Sequence, residues 1–168
     1  MTAQTHPNRI LVSQHGIGNV WLNPQTHHHS FHAATSFAEG DIMANFTART
    51  TQAYPTYLTI QKGANVHITF EPSYLELINH SCDPNVFFDT DAMEMICIRS
   101  IKPDDEICFF YPSTEWQMDR PFECNCGSDK CLKVIEGAFA IDPQILSKYR
   151  LTNYISQQVK LNNKSNSI

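Results

Sequence analysis

The chain has 168 residues, 42% of them apolar and 17% charged, the size and balance of one folded domain and not of a disordered segment. Its formal net charge is −5 with no cluster of Lys and Arg, which argues against direct binding of nucleic acid and leaves room for a basic partner such as a lysine-bearing peptide. No apolar run has the length needed to span a bilayer, so no membrane is expected as a partner.

The opening Met1-Thr2-Ala3-Gln4-Thr5-His6-Pro7 has no basic region leading into an apolar one and does not read as a signal peptide. A cytoplasmic location (nuclear in a eukaryote) is therefore expected, with the six cysteines acting as thiols or metal ligands and not as disulfides. Ile10-Leu11-Val12 and Val20-Trp21-Leu22 read as strands on either side of a Gly16-Ile17-Gly18 turn. His27, His28, His29 and His32 fall within six positions, but neighbouring strand side chains point to opposite faces, so a solvated loop is expected there in preference to a metal site. Tyr57-Leu58-Thr59-Ile60-Gln61 and Val66-His67-Ile68-Thr69-Phe70 form a predicted hairpin around Lys62-Gly63-Ala64-Asn65.

Next comes Asn79-His80-Ser81-Cys82-Asp83-Pro84-Asn85, polar and turn-forming, straight after the apolar Leu75-Glu76-Leu77-Ile78. Half-buried amide and imidazole groups at such a point must find partners. Three more strands are predicted at Val86-Phe87-Phe88, from Met93 to Ile98 and from Ile107 to Tyr111. Short strands at this spacing predict a β-rich fold of several small sheets. Near the end, Asp142-Pro143 supplies an N-cap and a first-turn proline, and Ile145, Tyr149, Leu151, Ile155 and Val159 recur at helical spacing. The polar run Asn162-Asn163-Lys164-Ser165-Asn166-Ser167 is expected to fray.

Cys124-Asn125-Cys126-Gly127-Ser128-Asp129-Lys130-Cys131 places three thiols within eight residues, a density that suits tetrahedral zinc. Three local ligands leave one position, for which Cys82 is the candidate. Gly127 fits a chain that wraps a metal through a left-handed turn. Cys97 and Cys108 sit in apolar strands and read as core residues.

Taken together, Asn-His-Ser-Cys-x-Pro-Asn, then Asp-Glu-Ile-x-Phe-x-Tyr, then Cys-x-Cys-x4-Cys resemble a SET-domain methyltransferase with its post-SET zinc region. The segment from Ala33 to Ile42 is similar to the family's first strand pair with its glycine turn, and Arg99 to Ile107 to the turn before the catalytic strand. The resemblance implies a mainly β (α+β) β-clip fold of small curved sheets with a knot-like C-terminal crossing, plus a C-terminal helix. It divides a single domain, 1–168, into a SET core at 28–112, a post-SET segment at 122–137 and a helix at 142–161. It implies S-adenosylmethionine held by His29, Ser30, Phe31, Asn79, His80 and Phe122, zinc held by Cys82, Cys124, Cys126 and Cys131, and Tyr111 as the catalytic tyrosine. Phe88, Phe109 and Tyr57 would line the substrate channel. Phe109 stands where the family has Phe or Tyr; lacking a hydroxyl to hold a water in the space of another methyl group, it implies di- or trimethylation of a lysine.

The expected acceptor is thus a lysine-bearing protein or peptide. The alternatives are a small free amine or peptide in a biosynthetic pathway, or a catalytically silent zinc-stabilised binding module. The apolar stripe of the last helix would serve either a homodimer or the chain's own core. Two positions depart from the family pattern. His28-His29-Ser30 occupies the slot of a Gly-x-Gly, while Gly16-Ile17-Gly18 lies about a dozen residues too early for usual loop lengths. Asp104 replaces a turn glycine, and Asp tolerates the left-handed region.

Overall fold

The computed structural model describes residues 8–165. The expectation for residues 1–7, and residues 166–168 at the end of the polar tail, lie outside the described residues. β1 (Ile10–Gln14), β2 (Gly18–Leu22) and β3 (His29–Ala33) form an antiparallel sheet in chain order. A second sheet has the order β5 (Thr47–Gln52), β7 (Val66–Glu71), β6 (Ile60–Gly63). The expected strand from Tyr57 starts later, because Thr59 closes a turn onto Thr56 through its backbone amide and its hydroxyl. Tyr57 is left exposed on that turn.

The central sheet runs β4 (Ile42–Asn45), β10 (Glu94–Cys97), β9 (Val86–Asp89), β11 (Cys108–Phe109), β8 (Asn79–His80). β8 and β9 are consecutive in the chain, yet β11, from much later, lies between them and parallel to both. Asn85, at the end of the loop joining β8 to β9, holds the insertion. Its Nδ2 donates to Glu106 O at 2.8 Å and its Oδ1 accepts from Cys108 N at 2.8 Å, so one side-chain amide does the work of a strand residue. This insertion is the C-terminal crossing of the fold.

Phenylalanines knit the core. Phe88 is fully buried and meets Phe46, Phe70 and Phe109 at centroid distances of 5.7, 4.8 and 4.8 Å, tilted or edge-to-face as ring quadrupoles prefer. A smaller second core gathers Phe110, Ala138, Leu146 and Ile155.

The segment from Ala33 to Ile42 runs from the end of β3 to the start of β4, with Gly40 at φ +95° in the turn, and Phe37 within it pairs with Ile101 through two backbone hydrogen bonds. One expectation is corrected. The helix expected at 142–161 is two helices, α1 (Pro143–Leu146) and α2 (Asn153–Ser165). Asp142 caps α1 by accepting from Gln144 N at 2.7 Å. The chain then breaks because tertiary contacts win over local propensity. Tyr149 stacks on Phe110 at 3.8 Å, and Thr152 N bonds Ser113 O. Ile155 on the apolar stripe of α2 is fully buried in the second core. Asn162 to Lys164, expected to fray, continue the helix.

Candidate active site and cysteine centre

Asn79 lies where three segments meet. Its Nδ2 donates to His29 O at 2.8 Å on β3 and to Glu106 Oε1 at 2.9 Å just ahead of β11. Both amide hydrogens are therefore committed, and Oδ1, unpaired among the described residues, remains as an acceptor. His28-His29-Ser30, where glycines were expected, is thus the segment beside Asn79. Gly16-Ile17-Gly18 sits at the far end of β3, opposite Ala33. A Cβ on Gly18 would lie 2.6 Å from His32 O, so this glycine serves close strand packing.

His80 links the crossing to its surroundings. Burial lowers its imidazole to about 4, so it is neutral. Nδ1 accepts from Tyr111 N at 3.2 Å, which puts the proton on Nε2, 3.3 Å from Cys82 Sγ. The His80 ring also meets the edges of Tyr111 and Phe122 at 5.2 and 5.7 Å.

Tyr111 opens a short 3-10 turn, Tyr111–Ser113, at the end of the inserted segment. Its hydroxyl donates to Ile78 O at 3.1 Å, and burial, with Cys108 and Glu106 adding to it, raises the phenol above its usual range. The group stays neutral and keeps lone pairs for a further partner. Tyr111, Phe109 and Phe122 line a cleft of about 330 Å³ with Leu75, Ile78 and Glu115. Tyr57 stands at its exposed edge, under the Arg120 guanidinium at 5.1 Å.

Two expected site residues lie elsewhere. Phe31 is fully buried, its ring stacked with Tyr74 at 5.4 Å, and offers no surface to a cofactor. Burial rises along β3, from the half-buried His29 and Ser30 to the buried Phe31, His32 and Ala33. Phe88 does not line the cleft but backs Phe109 from the core.

β12 (Phe122–Glu123) and β13 (Val134–Ile135) pair and carry the cysteine loop between them. The Sγ atoms of Cys82, Cys124, Cys126 and Cys131 all lie within 4.8 Å of one another. A tetrahedral site with metal–sulfur bonds of about 2.3 Å needs sulfurs roughly 3.8 Å apart, so this set could hold a metal ion after a small contraction. The chemistry of the donors agrees. All four are free thiols, and Gly127 takes φ +73° in the loop. Burial raises Cys82 and Cys124, while for the half-buried Cys126 desolvation is outweighed by amide hydrogen bonds and its neighbouring thiols, which bring it down. A dication would favour the thiolate throughout.

His27 and His28 are exposed, His29 is half-buried, and His32 is buried against Asp104 O and Ser30 Oγ, so the four histidines do not converge. Asp104 takes φ +71°, the left-handed conformation that a glycine would otherwise supply. Cys97 is buried and Cys108 half-buried. Sequence reasoning passed over Asn85 as a structural clamp and Glu115 altogether. Asn85 had a signal, its place in a polar heptad beside a strand; Glu115 had none.

A sheet system closed by an inserted parallel strand, with Asn, Tyr and a four-cysteine centre around the insertion, defines a particular class. The SET domain family matches residues 13–112, more than half of the chain, and the chain belongs to that family. Its relatives include a methyltransferase, flvH of Aspergillus flavus, 36% identical over 118 residues that make up 69% of this chain and 66% of flvH. A histone-lysine N-methyltransferase, H3 lysine-36 specific, of Gibberella zeae is 30% identical over 87 residues, 48% of this chain but 9% of that protein. The chain thus spans just under two thirds of one relative and a small part of the other. Among solved structures, KRYPTONITE in complex with mCHG DNA and SAH has a TM-score of 0.50 at 16% identity, covering 63% of this chain and 26% of that one, a likeness of fold.

Proposed function

We propose that this protein transfers methyl groups from S-adenosylmethionine to an amine nitrogen, with a protein lysine side chain as the favoured acceptor. The observation that carries the reading is the junction of Asn79 and Tyr111. An amide with its carbonyl oxygen free stands at the crossing, one strand from a cleft lined by a neutral tyrosine hydroxyl and apolar side chains.

Asn79 Oδ1 suits the ammonium end of the cofactor, the half-buried His29 and Ser30 offer backbone beside it, and the Phe122 and His80 rings offer stacking surface. When bound, S-adenosylmethionine supplies an electrophilic methyl group on a sulfonium. The protein's part is to hold the acceptor nitrogen in line at near-attack distance. Phe109, Ile78 and Leu75 keep the cleft poorly solvated, which lowers the pKa of an entering ammonium. Tyr111 Oη, anchored on Ile78 O, orients the amine with its remaining lone pair. Phe109 brings no hydroxyl against the nitrogen, which favours di- and trimethylation.

Cys82, Cys124, Cys126 and Cys131 would hold zinc, which would tie the post-SET hairpin to the crossing. Calorimetry with S-adenosylmethionine on the folded protein tests the reading, and the absence of binding would end it. If binding holds, mass spectrometry of labelled products tests the product state. A product that stays monomethylated at long times contradicts the role of Phe109.

A further inference from the structure

A second cavity, about 630 Å³ against 330 Å³ for the cleft beside Tyr111, lies behind the crossing. The two share no lining residue. Neighbouring rings divide them: Phe109 lines the cleft and Phe110 the cavity, since successive side chains of an extended segment point to opposite faces. The half-buried Pro84, Ile98, Leu132, Ile145 and Tyr149 give the cavity apolar walls with surface still to cover.

The charge around those walls is the reverse of the molecule's. The chain carries −5, yet four of its twelve Lys and Arg line this one cavity, against two acids, Asp83 and Asp129. Asp83 answers two of the cations, Arg99 at 3.2 Å and Lys130 at 2.8 Å. The other two flank Tyr149. Lys148 Nζ is exposed and has no partner among the described residues. The Arg150 guanidinium lies over the Phe87 ring at 4.3 Å, with Asp89 at 3.5 Å. Five donors exceed what one carboxylate at that distance can take, and a guanidinium already held on a ring loses little freedom in meeting a further anion.

We propose that this cavity is a second ligand site, for a small molecule with an apolar body and an anionic oxygen head, a carboxylate or a phosphate monoester. The body covers Ile98, Leu132 and Ile145, and the head sits between Lys148 and Arg150, where a charge-assisted pair is available. Tyr149 carries the effect of binding to the crossing. Its ring stacks on Phe110 at 3.8 Å and its hydroxyl donates to Cys82 O at 2.8 Å. A ligand resting on Tyr149 therefore braces the turn that bears Cys82 from behind and leaves the cleft beside Tyr111 open. Binding to the folded chain alone raises its melting temperature.

The test titrates the full-length protein, without S-adenosylmethionine, with 4-phenylbutyrate, 4-phenylbutyl phosphate and the uncharged 4-phenylbutanol, read by calorimetry and by amide NMR. At least one anion should bind with a Kd of about 1 mM or tighter and roughly tenfold better than the alcohol; the tighter of the two identifies the head. Amide shifts should fall on Arg99, Lys130 and Lys148 to Arg150 and leave Thr56 to Ile60, at the other cleft, in place. Lys148→Gln and Arg150→Gln change exposed side chains, so both variants should fold; each should weaken the anion about threefold, and the double variant should bind it no better than the alcohol. Ile145→Trp, which fills the cavity, should remove binding of all three probes. The proposal is overturned if neither anion saturates, if the alcohol binds as tightly as both anions, if the shifts gather around Thr56 to Ile60, or if the charge variants bind like the wild type. No arm uses the methyl donor, so failure of the proposed function would leave this result standing, and the reverse.

Discussion

Replacing Asn79 by Asp changes one NH2 group to oxygen and nothing else in size. The amide donates twice, to His29 O and to Glu106 Oε1. In the variant both donors are lost, and a second carboxylate stands about 3 Å from the first. A hydrogen bond to a charged acceptor contributes roughly 1.5–3 kcal/mol net and a neutral one about 1 kcal/mol. Two like charges near a protein surface add a repulsion on the order of a few kcal/mol. Together these predict a loss of at least about 3 kcal/mol at neutral pH, a fall in melting temperature of roughly 6–12 °C for a chain of this size. Asn79→Ala loses the same donors without the repulsion. The discriminating assay is urea denaturation of both variants at pH 8 and pH 5. Two carboxyl groups in contact share a proton as pH falls, which restores one donor, so Asn79→Asp should recover stability in acid while Asn79→Ala should not. Equal losses for the two variants, unchanged by pH, would refute the assignment of Asn79 as a double donor clamping β3 to β11.

Tyr111→Phe removes only the bond to Ile78 O; it should cost about 1 kcal/mol of stability, leave cofactor affinity unchanged, and lower methyl transfer about 100-fold or more. Turnover close to wild type would exclude the hydroxyl from the chemistry. Chelation should lower the melting temperature and release amide protection in β12, β13 and the stretch around Tyr149, whose hydroxyl bonds Cys82 O, while β5, β7 and β6 stay protected. An unchanged melting curve and exchange pattern would count against a structural metal. Glu115 sets a pH dependence of stability in the ligand-free protein. Its folded pKa lies above the ordinary 4.5, so above pH 4.5 the native chain holds a proton that the unfolded chain has released. That contribution is complete below pH 4.5 and is lost as pH rises through the folded value. Glu115→Gln should flatten this slope in urea midpoints; parallel profiles would contradict it.

The crossing and the cysteine centre were legible because their chemistry is compressed in sequence. Asn79, His80 and Cys82 fall within four residues, and three of the four thiols within eight. Tyr111 could be placed from the strand pattern that ends on it. Phe31 and Phe88 were misplaced for a common reason. A motif carried over along a strand cannot tell which of two adjacent side chains faces the core, and both rings pack inward. The break between α1 and α2 was hidden because Tyr149 and Leu151 keep helical spacing, and the contacts that overrule it come from Phe110 and Ser113, some forty residues earlier. Glu115 had no periodicity, spacing or motif. It becomes conspicuous only when Gln61, from β6, fixes the backbone of Thr114 and Trp116 on either side of it while no partner among the described residues answers its carboxyl group.

The insertion of β11 also sets an order of events as the chain folds. Among the described residues β8 has no sheet neighbour other than β11, whereas the β1–β2–β3 and β5–β7–β6 sheets close without it. A growing chain can therefore build its periphery from nearby contacts, but β8 stays unpaired until Cys108 and Phe109 slot in beside it. Such long-range closure is slow compared with hairpin formation. Asn79 gains Glu106, His80 gains the Tyr111 amide, and the cleft gains its tyrosine in that same late step. Assembly of the proposed site and completion of folding thus arrive together, and a chain stalled before the insertion would hold its outer sheets without the cleft.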